Sequence, residues 1–231
     1  CAFYGCSSLT SVNIPDGVTS IGSSAFYGCS SLTSVNIPDG VTSIGSHAFD
    51  GCSSLNSITI PENVTSIGDD AFYNCTALEE INFNATAMTD LSSSNNVFAY
   101  AGKNGNGITV NVGANVTKIP AYLFYPYSTS SYAPKITSVV IAEGSVCTSI
   151  GSHAFHGCSS LTSIEIPSSV TNIGNHAFDN TGYYNNEANW DNSVLYIGHH
   201  LIAAKTSITG VHTIKEGTLT IADRAFIDCS S

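Results

Sequence analysis

The sequence repeats itself with a period of 23 residues. Residues 2–24 and 25–47 are the same except at their last position, and related copies begin at Ala48 and Ala71. A unit this short cannot enclose a hydrophobic core of its own, so successive units must stack and share one. The period therefore predicts an elongated solenoid in which each repeat forms one coil.

Each unit contains the pattern L-x-x-V-x-I, in which apolar and polar residues alternate. In the first copy the apolar positions are Leu9, Val12 and Ile14. Alternation with a period of two is typical of a short strand with one buried face. The Pro-Asp-Gly sequence at 15–17 should end that strand, since Pro cannot donate to a sheet and Gly accepts positive φ. A second apolar pair follows, and the Ala-Phe-x-x-Cys segment predicts a tight helical or 3₁₀ turn that closes the coil.

Phenylalanine and cysteine recur at fixed places in the unit. A residue that points inward at the same place in every coil fills space, and a free cysteine behaves as a small apolar residue. Cysteines of neighbouring coils would also lie within disulfide range, at a coil spacing of about 4.8 Å. We interpret them as buried free thiols. The predicted structural ladder consists of Phe26, Phe49, Phe72, Phe155, Phe178, Cys29, Cys52, Cys75 and Cys158.

The complete motif L-x-x-V-x-I-P-x-x-V-x-x-I-G-x-x-A-F-x-x-C resembles the BspA-like, or Treponema pallidum-type, class of leucine-rich repeats. The resemblance covers nearly the whole chain. It implies a leucine-rich-repeat solenoid, a right-handed and β-rich β/α superhelix with a concave parallel sheet and short 3₁₀ or helical turns. It also implies exposure at the cell surface and adhesion to a protein or glycan of a host or neighbouring cell.

We expect a single leucine-rich-repeat domain over residues 1–231. Its parts are regular coils at 1–83, degenerate coils with insertions at 84–135, regular coils at 136–178, and irregular coils at 179–231. Residues 197–202 match residues 44–49 with Leu-Ile in place of Ala-Phe, which indicates one further unit in the irregular part. Both ends fall inside a repeat, so we expect a fragment whose signal and anchor lie outside it. The uncapped ends also allow end-to-end self-association.

Interruptions of the array are candidate binding loops, because insertions in a solenoid become loops on one face. Residues 125–135 carry tyrosines between prolines, and residues 179–193 carry tyrosines and the single Trp among amides and carboxylates. Aromatic rings beside hydrogen-bonding groups are typical of ligand recognition. Alternatively, these rings fold back over core that a missing strand would expose. The candidates are Tyr125, Tyr127, Tyr132, Tyr183, Tyr184 and Trp190.

The polar positions of the strands form a second candidate surface. Asn13, Asn36 and Glu80 represent columns of short polar side chains that repeat from coil to coil. Such side chains lose little entropy when a ligand binds. A solvated sheet face without a ligand is the alternative interpretation.

Composition excludes several classes of function. With 6 basic and 17 acidic residues the formal net charge is -11, which would repel nucleic acid. No segment approaches the roughly 18 apolar residues of a membrane span. Motifs for a nucleophile elbow, a phosphate loop or a zinc protease are absent, so we expect neither catalysis nor a cofactor. A column of histidines at 47, 153, 176 and 200 is interpreted as solvent-facing rather than metal-binding.

These observations predict an extracellular or cell-surface binding module. The alternative is a passive spacer or stalk that extends another domain from the cell surface. Near-identical coils favour the spacer, because a specific binding site should diversify its outward residues. The irregular second half favours binding.

Overall fold

The computed structural model describes residues 2–126, 130–142 and 144–229. Its strands, in chain order, are β1 (Ser11–Val12), β2 (Ser20–Ile21), β3 (Ser34–Val35), β4 (Ser43–Ile44), β5 (Ser57–Ile60), β6 (Ser66–Ile67), β7 (Glu80–Phe83), β8 (Ile108–Val112), β9 (Lys118–Ile119), β10 (Ile136–Ile141), β11 (Ser149–Ile150), β12 (Asn172–Ile173), β13 (Trp190–Asp191), β14 (Val194–Ile197), β15 (His200–Ala204) and β16 (Thr220–Ile221). Two 3₁₀ helices span Ser130–Tyr132 and Glu187–Asn189. The described chain is thus rich in short strands and nearly without helix.

The L-x-x-V-x-I segments form parallel sheets. β1 pairs with β3, and β5, β7, β8 and β10 form a four-stranded sheet in chain order. The register advances by one coil, so Ile58 lies beside Ile81 and Ile81 beside Val110. All three side chains are buried. The predicted β-rich solenoid with a parallel sheet is confirmed.

A second set of parallel strands follows the turn after each L-x-x-V-x-I segment. β2, β4 and β6 form one sheet, and β9, β11 and β12 form another. Each of these strands is two residues long, too short to show an alternating pattern in the sequence. Beside these strands, threonine hydroxyls form hydrogen bonds between neighbouring coils. Thr42 Oγ1 donates to the carbonyl of Thr19 at 3.2 Å, and Thr65 Oγ1 donates to Thr42 at 3.1 Å.

The Ala-Phe segment closes each coil with tight turns rather than a helix. Cys29 N donates to Phe26 O three residues earlier at 3.1 Å, as in a 3₁₀ turn, but Phe26 N donates to Ala48 O of the next coil at 2.8 Å. The residue before Ala has a positive φ, 55° at His47. Gly51, on the other side of the turn, has a φ of 73°. Because left-handed residues on both sides cannot belong to a right-handed helix, the turn stays short and its donors serve the neighbouring coil.

Phenylalanine rings stack through the interior. Ring centroids of consecutive coils lie 5.1–5.6 Å apart from Phe3 to Phe178. The cysteines form a parallel column, in which Cys52 Sγ donates to Phe26 O at 3.3 Å. Burial raises the pKa of Cys52 to about 12. The seven cysteines within the described residues are free thiols, and the four ladder cysteines are fully buried.

The irregular part contains a β-hairpin, and its second strand, β15, pairs in parallel with β16 of the last coil. β14 and β15 pair antiparallel across a turn in which Gly198 has φ 58°. The register predicted by matching residues 197–202 to residues 44–49 is wrong, because Leu201 and not Ile197 pairs with Ile221 of the last coil. His200 lies in β15 with 0% exposure, so it does not belong to the histidine column. The physical reason is that apolar residues lie on both sides of the turn, so both β14 and β15 are buried in the core. The tight turn of a regular coil does not join two buried strands of this length.

One cluster of buried apolar side chains runs from Ile14 to Ala225. Stacked coils therefore share a continuous core, as a short repeat unit requires. Among the described residues, no helix has the length and apolar character needed to cross a membrane.

Candidate binding surfaces

The strand face is the outward side of β5, β7 and β8. Alternate residues of these strands point into the core, so the others point outward. The register aligns the outward residues in two columns. They are Ser57, Glu80 and Thr109 in one column, and Thr59, Asn82 and Asn111 in the other.

A hydrogen-bond network orders the strand face. Asn111 Nδ2 donates to Glu80 Oε1 and to Asn82 Oδ1, both at 2.9 Å. Glu80 is exposed, as are Asn13 and Asn36, which hold the position of Thr59 in earlier coils. The predicted polar residues of the strands thus form one array on the surface.

The strand face ends in a groove of about 430 Å³. Val140 is 49% exposed there, and Glu165 is exposed as well. Tyr183 belongs to the insertion at residues 179–193, which we call the aromatic insertion, and it lines the same groove. The structure therefore brings the strand columns and one of the insertion tyrosines together. This strand groove is lined by Ser138, Val139, Val140, Ser163, Ile164, Glu165 and Tyr183.

The aromatic insertion packs against the β-hairpin. Tyr183 donates its hydroxyl to the carbonyl of Tyr196 at 2.9 Å, and Trp190 Nε1 donates to Tyr184 O at 2.7 Å. The three predicted aromatic residues are partly buried against the core. Lys205 Nζ lies 5.1 Å from the centre of the Trp190 ring. This packing agrees with the interpretation that Trp190 covers the core. Tyr183 packs there as well, but it also faces the strand groove.

The tyrosines of residues 125–135 separate into different environments. Tyr125 lies edge-on to Tyr122, with ring centroids 5.2 Å apart, whereas Tyr132 lies 4.9 Å from Tyr100. Tyr127 lies outside the described residues. Tyr125 and Tyr132 therefore line two different parts of a surface that the sequence did not single out.

That surface is the turn ridge, formed by the residues directly before and after each Ala-Phe pair or its equivalents, Val97-Phe98 and Leu123-Phe124. The residues before the pair have positive φ, which turns their side chains outward at the same place in every coil. The recurrence of histidine is the sequence signal for this surface, but it indicates only solvent exposure and not a pocket. The turn ridge includes Ser24, His47, Asp70, Asn96, Tyr122, His153 and His176 before the pair, and Tyr27, Asp50, Tyr73, Ala99, Tyr125, His156 and Asp179 after it.

A depression of about 540 Å³ opens in the first half of the turn ridge. His47 Nδ1 lies 2.9 Å from Asp50 Oδ2, and His47 Nε2 lies 3.9 Å from Asp70 Oδ2. Burial raises the pKa of both carboxyl groups. Burial, then the charges of Asp70 and Asp50, raise the pKa of Tyr73. We call this the acidic pocket; its lining residues are His47, Asp50, Asp70, Tyr73, Asn96, Ala99 and Tyr132.

Histidines cluster in the second half of the turn ridge. His153 stacks on Tyr122 with ring centroids 4.7 Å apart, and His176 Nδ1 lies 2.7 Å from Asp179 Oδ2. Burial, and then the neighbouring His156 and His176, lower the pKa of His153 to about 4. Within the described part of the chain, no group of His, Cys, Asp or Glu is arranged to hold a metal ion.

A family model for the BspA type leucine rich repeat region matches residues 1–131 and 127–231. Among solved structures, a leucine-rich repeat protein from Eubacterium ventriosum is 27% identical, with a TM-score of 0.55. A leucine rich cell surface protein from Faecalibacterium prausnitzii is 27% identical, with a TM-score of 0.38. The leucine rich repeat protein of T. pallidum is 26% identical, with a TM-score of 0.46.

The matches cover most of this chain but less of the similar proteins. They include 79% of this chain and 46% of the Eubacterium ventriosum protein, and 80% and 61% for the Faecalibacterium prausnitzii protein. For the T. pallidum protein the shares are 67% and 68%. A search of curated proteins gives no match. The chain thus spans about half the length of the Eubacterium ventriosum protein.

Proposed function

The chain belongs to the BspA type leucine-rich repeat family, and from that premise we propose that it is a binding module displayed outside the cell. Its ligand is a protein or glycan of a host or neighbouring cell. The binding surface is the strand face together with the strand groove. The observation that carries this proposal is the meeting of the strand columns and the aromatic insertion in one groove.

The strand groove has the composition of a recognition site. Val140 offers exposed apolar area, Glu165 offers a carboxylate, and Tyr183 offers a ring whose hydroxyl is fixed on Tyr196 O. A tyrosine held by a hydrogen bond contributes contact area with little further loss of entropy on binding. The volume of about 430 Å³ suits a few residues of peptide or a short glycan.

The strand face supports the groove with ordered polar groups. The Asn111 amide holds Glu80 and Asn82 in place, so the array is set before a ligand arrives. Groups that are ordered beforehand reduce the entropy cost of binding. Backbone groups are satisfied by the parallel ladders, which leaves the outward side chains available for a ligand. We assign no catalytic step to this surface.

A passive spacer remains the alternative function. The first two coils carry the same outward residues, which fits a repeat that merely adds length. The strand groove lies instead where coils have diverged and an insertion approaches the strands. That placement favours binding over spacing for the second half of the chain.

Adhesion to arrays of host matrix proteins and glycans tests the proposal. We expect saturable binding by the chain, and at least tenfold weaker binding by the double variant Val140→Ser, Glu165→Ala, since both residues are exposed in the groove. The matched control is Val146→Ser, Glu216→Ala, which makes the same changes at exposed positions that do not line the groove. Absence of binding to the arrays, or equal binding by both variants, would overturn the proposal.

A further inference from the structure

We propose that the acidic pocket on the turn ridge binds the cationic side chain of a basic peptide segment, with a guanidinium group as its best ligand. This inference rests on the proposed binding function and adds a second contact site with defined chemistry. It concerns residues that lie far apart in the sequence, from His47 to Tyr132, and that stacking of the coils brings together.

The charge distribution favours a cationic ligand. Residues 1–102 contain no lysine or arginine but nine aspartates and glutamates. Lys118, from a later coil, pairs with Asp90 at 2.5 Å and not with the pocket carboxylates. A region with carboxylates and almost no fixed cations attracts positively charged partners and speeds their association. All residues that line the acidic pocket, except Tyr132, belong to this segment.

The pocket carboxylates are positioned to receive a cation. The side chains of Asp50 and Asp70 are only 14% and 25% exposed, and the His47 ring lies between them. The 3.9 Å separation between His47 Nε2 and Asp70 Oδ2 is too long for a hydrogen bond. Burial disfavours the ionised form of both carboxyl groups. A bound cation would offset that cost, and a planar guanidinium is able to bond two carboxylate oxygens at once.

Tyrosine rings supply the other walls of the pocket. Tyr73 and Tyr132 line it, and Tyr100 lies between them, with ring centroids 5.5 Å from Tyr73 and 4.9 Å from Tyr132. Aromatic faces attract cations, and guanidinium groups stack on them. Beside the pocket, Lys103 Nζ lies 4.7 Å from the centre of the Tyr100 ring, so a cation of the chain itself already contacts this tyrosine cluster.

The size of the pocket agrees with a peptide rather than a single ion. A volume of about 540 Å³ accommodates one long side chain together with neighbouring backbone. Asn96 also lines the pocket. The ligand is therefore a short basic stretch of a partner protein, with one arginine inserted between Asp50, Asp70 and the tyrosines.

Fluorescence polarisation with a labelled hexa-arginine peptide tests the inference on the whole chain. The peptide control is hexa-citrulline, which keeps the shape of arginine and lacks its charge. We expect the chain to bind hexa-arginine in a salt-dependent manner and to bind hexa-citrulline at least tenfold more weakly. Equal binding of both peptides would overturn the charge-based inference.

Two matched variants separate the pocket from the general negative charge. Asp70→Asn removes a pocket carboxylate, and Asn tolerates the φ of 55° at that position. Asp16→Asn removes the same charge from an exposed turn outside the pocket. We expect at least a tenfold loss for Asp70→Asn and less than a twofold loss for Asp16→Asn, with unchanged thermal unfolding of both. Equal losses would show diffuse attraction and overturn the pocket assignment.

A third variant distinguishes failure of this inference from failure of the proposed function. The groove double variant Val140→Ser, Glu165→Ala should bind hexa-arginine as the unmodified chain does, because neither residue lines the acidic pocket. If Asp70→Asn keeps full peptide affinity while the groove variant loses array binding, the pocket inference fails and the proposed function stands. A loss of peptide affinity in the groove variant would also contradict the pocket.

Discussion

Gly68 lies against the backbone of the preceding coil. A Cβ added to it would stand 2.4 Å from Ser46 N, and one added to Gly45 would stand 2.5 Å from Ser23 N. Neither glycine has a positive φ. These positions therefore require glycine because of close approach between coils and not because of an unusual backbone conformation. The recurrence of Ile-Gly in the sequence marks this contact, although its reason appears only in the structure.

Gly68→Ala should destabilise the chain by about 1–3 kcal/mol, because the added methyl group has backbone as its neighbour and must push two coils apart. Gly22→Ala is the matched control, since Gly22 occupies the same place in the unit and has nothing within 4 Å of an added Cβ. Urea unfolding monitored by circular dichroism measures both. Equal free energies of unfolding for the two variants would contradict the close-contact explanation.

His153 should make stability depend on pH. Its pKa is lowered from 6.5 to about 4 in the folded chain, so between these values the unfolded chain binds more protons. Stability from this residue is therefore complete above pH 6.5 and is lost as the pH falls toward 4. The groups that face it are Tyr122, Tyr125, His156, His176 and Asp179.

The measurement compares unfolding free energies of the chain and of His153→Asn across that pH range. Asn tolerates the φ of 58° at this position and does not titrate there. We expect the variant to lose less stability on acidification than the unmodified chain. His199→Asn, at an exposed position, should keep the original slope. Parallel curves for His153→Asn and the unmodified chain would refute the assignment.

At the scale of elements, the regular coils could be predicted from sequence and the irregular ones could not. Alternation in L-x-x-V-x-I identifies the strands of the first parallel sheet. The two-residue strands such as β2 carry no periodic signal, and they form because neighbouring coils supply hydrogen-bond partners. The resemblance of Ile197-Gly198 to Ile44-Gly45 predicts the wrong register for β15 and gives no sign of its antiparallel pairing with β14. Local resemblance could not show that both flanking segments become buried.

The candidate binding surfaces show the same division between what the sequence predicts and what it does not. Glu80 and Tyr183 were identified from sequence, because polar strand positions and inserted aromatics are visible there. The strand groove itself depends on an insertion returning to the strands, and no spacing predicts that return. The acidic pocket also combines distant residues. Asp50 and Asp70 occupy different positions of different repeats, and nothing in the sequence indicates that they share a pocket. Predicting a site that forms between coils requires knowledge of which coils are neighbours.

At the scale of the whole molecule, the buried core and the proposed binding surfaces occupy different parts of the coil. One continuous core joins the coils, and the Phe and Cys columns lie inside it. The strand face and the turn ridge lie outside, where residues vary between coils without disturbing the stack. The chain can therefore change its outward residues, or accept another coil, while the core pattern is kept.

Insertion of one extra coil tests the central claim that the chain is a binding module rather than a spacer. A copy of residues 25–47 placed between His153 and Ala154 keeps the repeat pattern and separates β10 from the residues at 163–165, which splits the strand groove. The same copy placed between Ser24 and Ala25 adds equal length outside the groove. Affinity for the strongest ligand on the host-protein and glycan arrays is then compared.

The binding account predicts at least a tenfold loss of affinity for the insertion after His153 and less than a twofold change for the insertion after Ser24, with both chains folded by circular dichroism. A spacer would show no difference between the two positions. Equal affinity of both insertion variants and the unmodified chain would contradict the account.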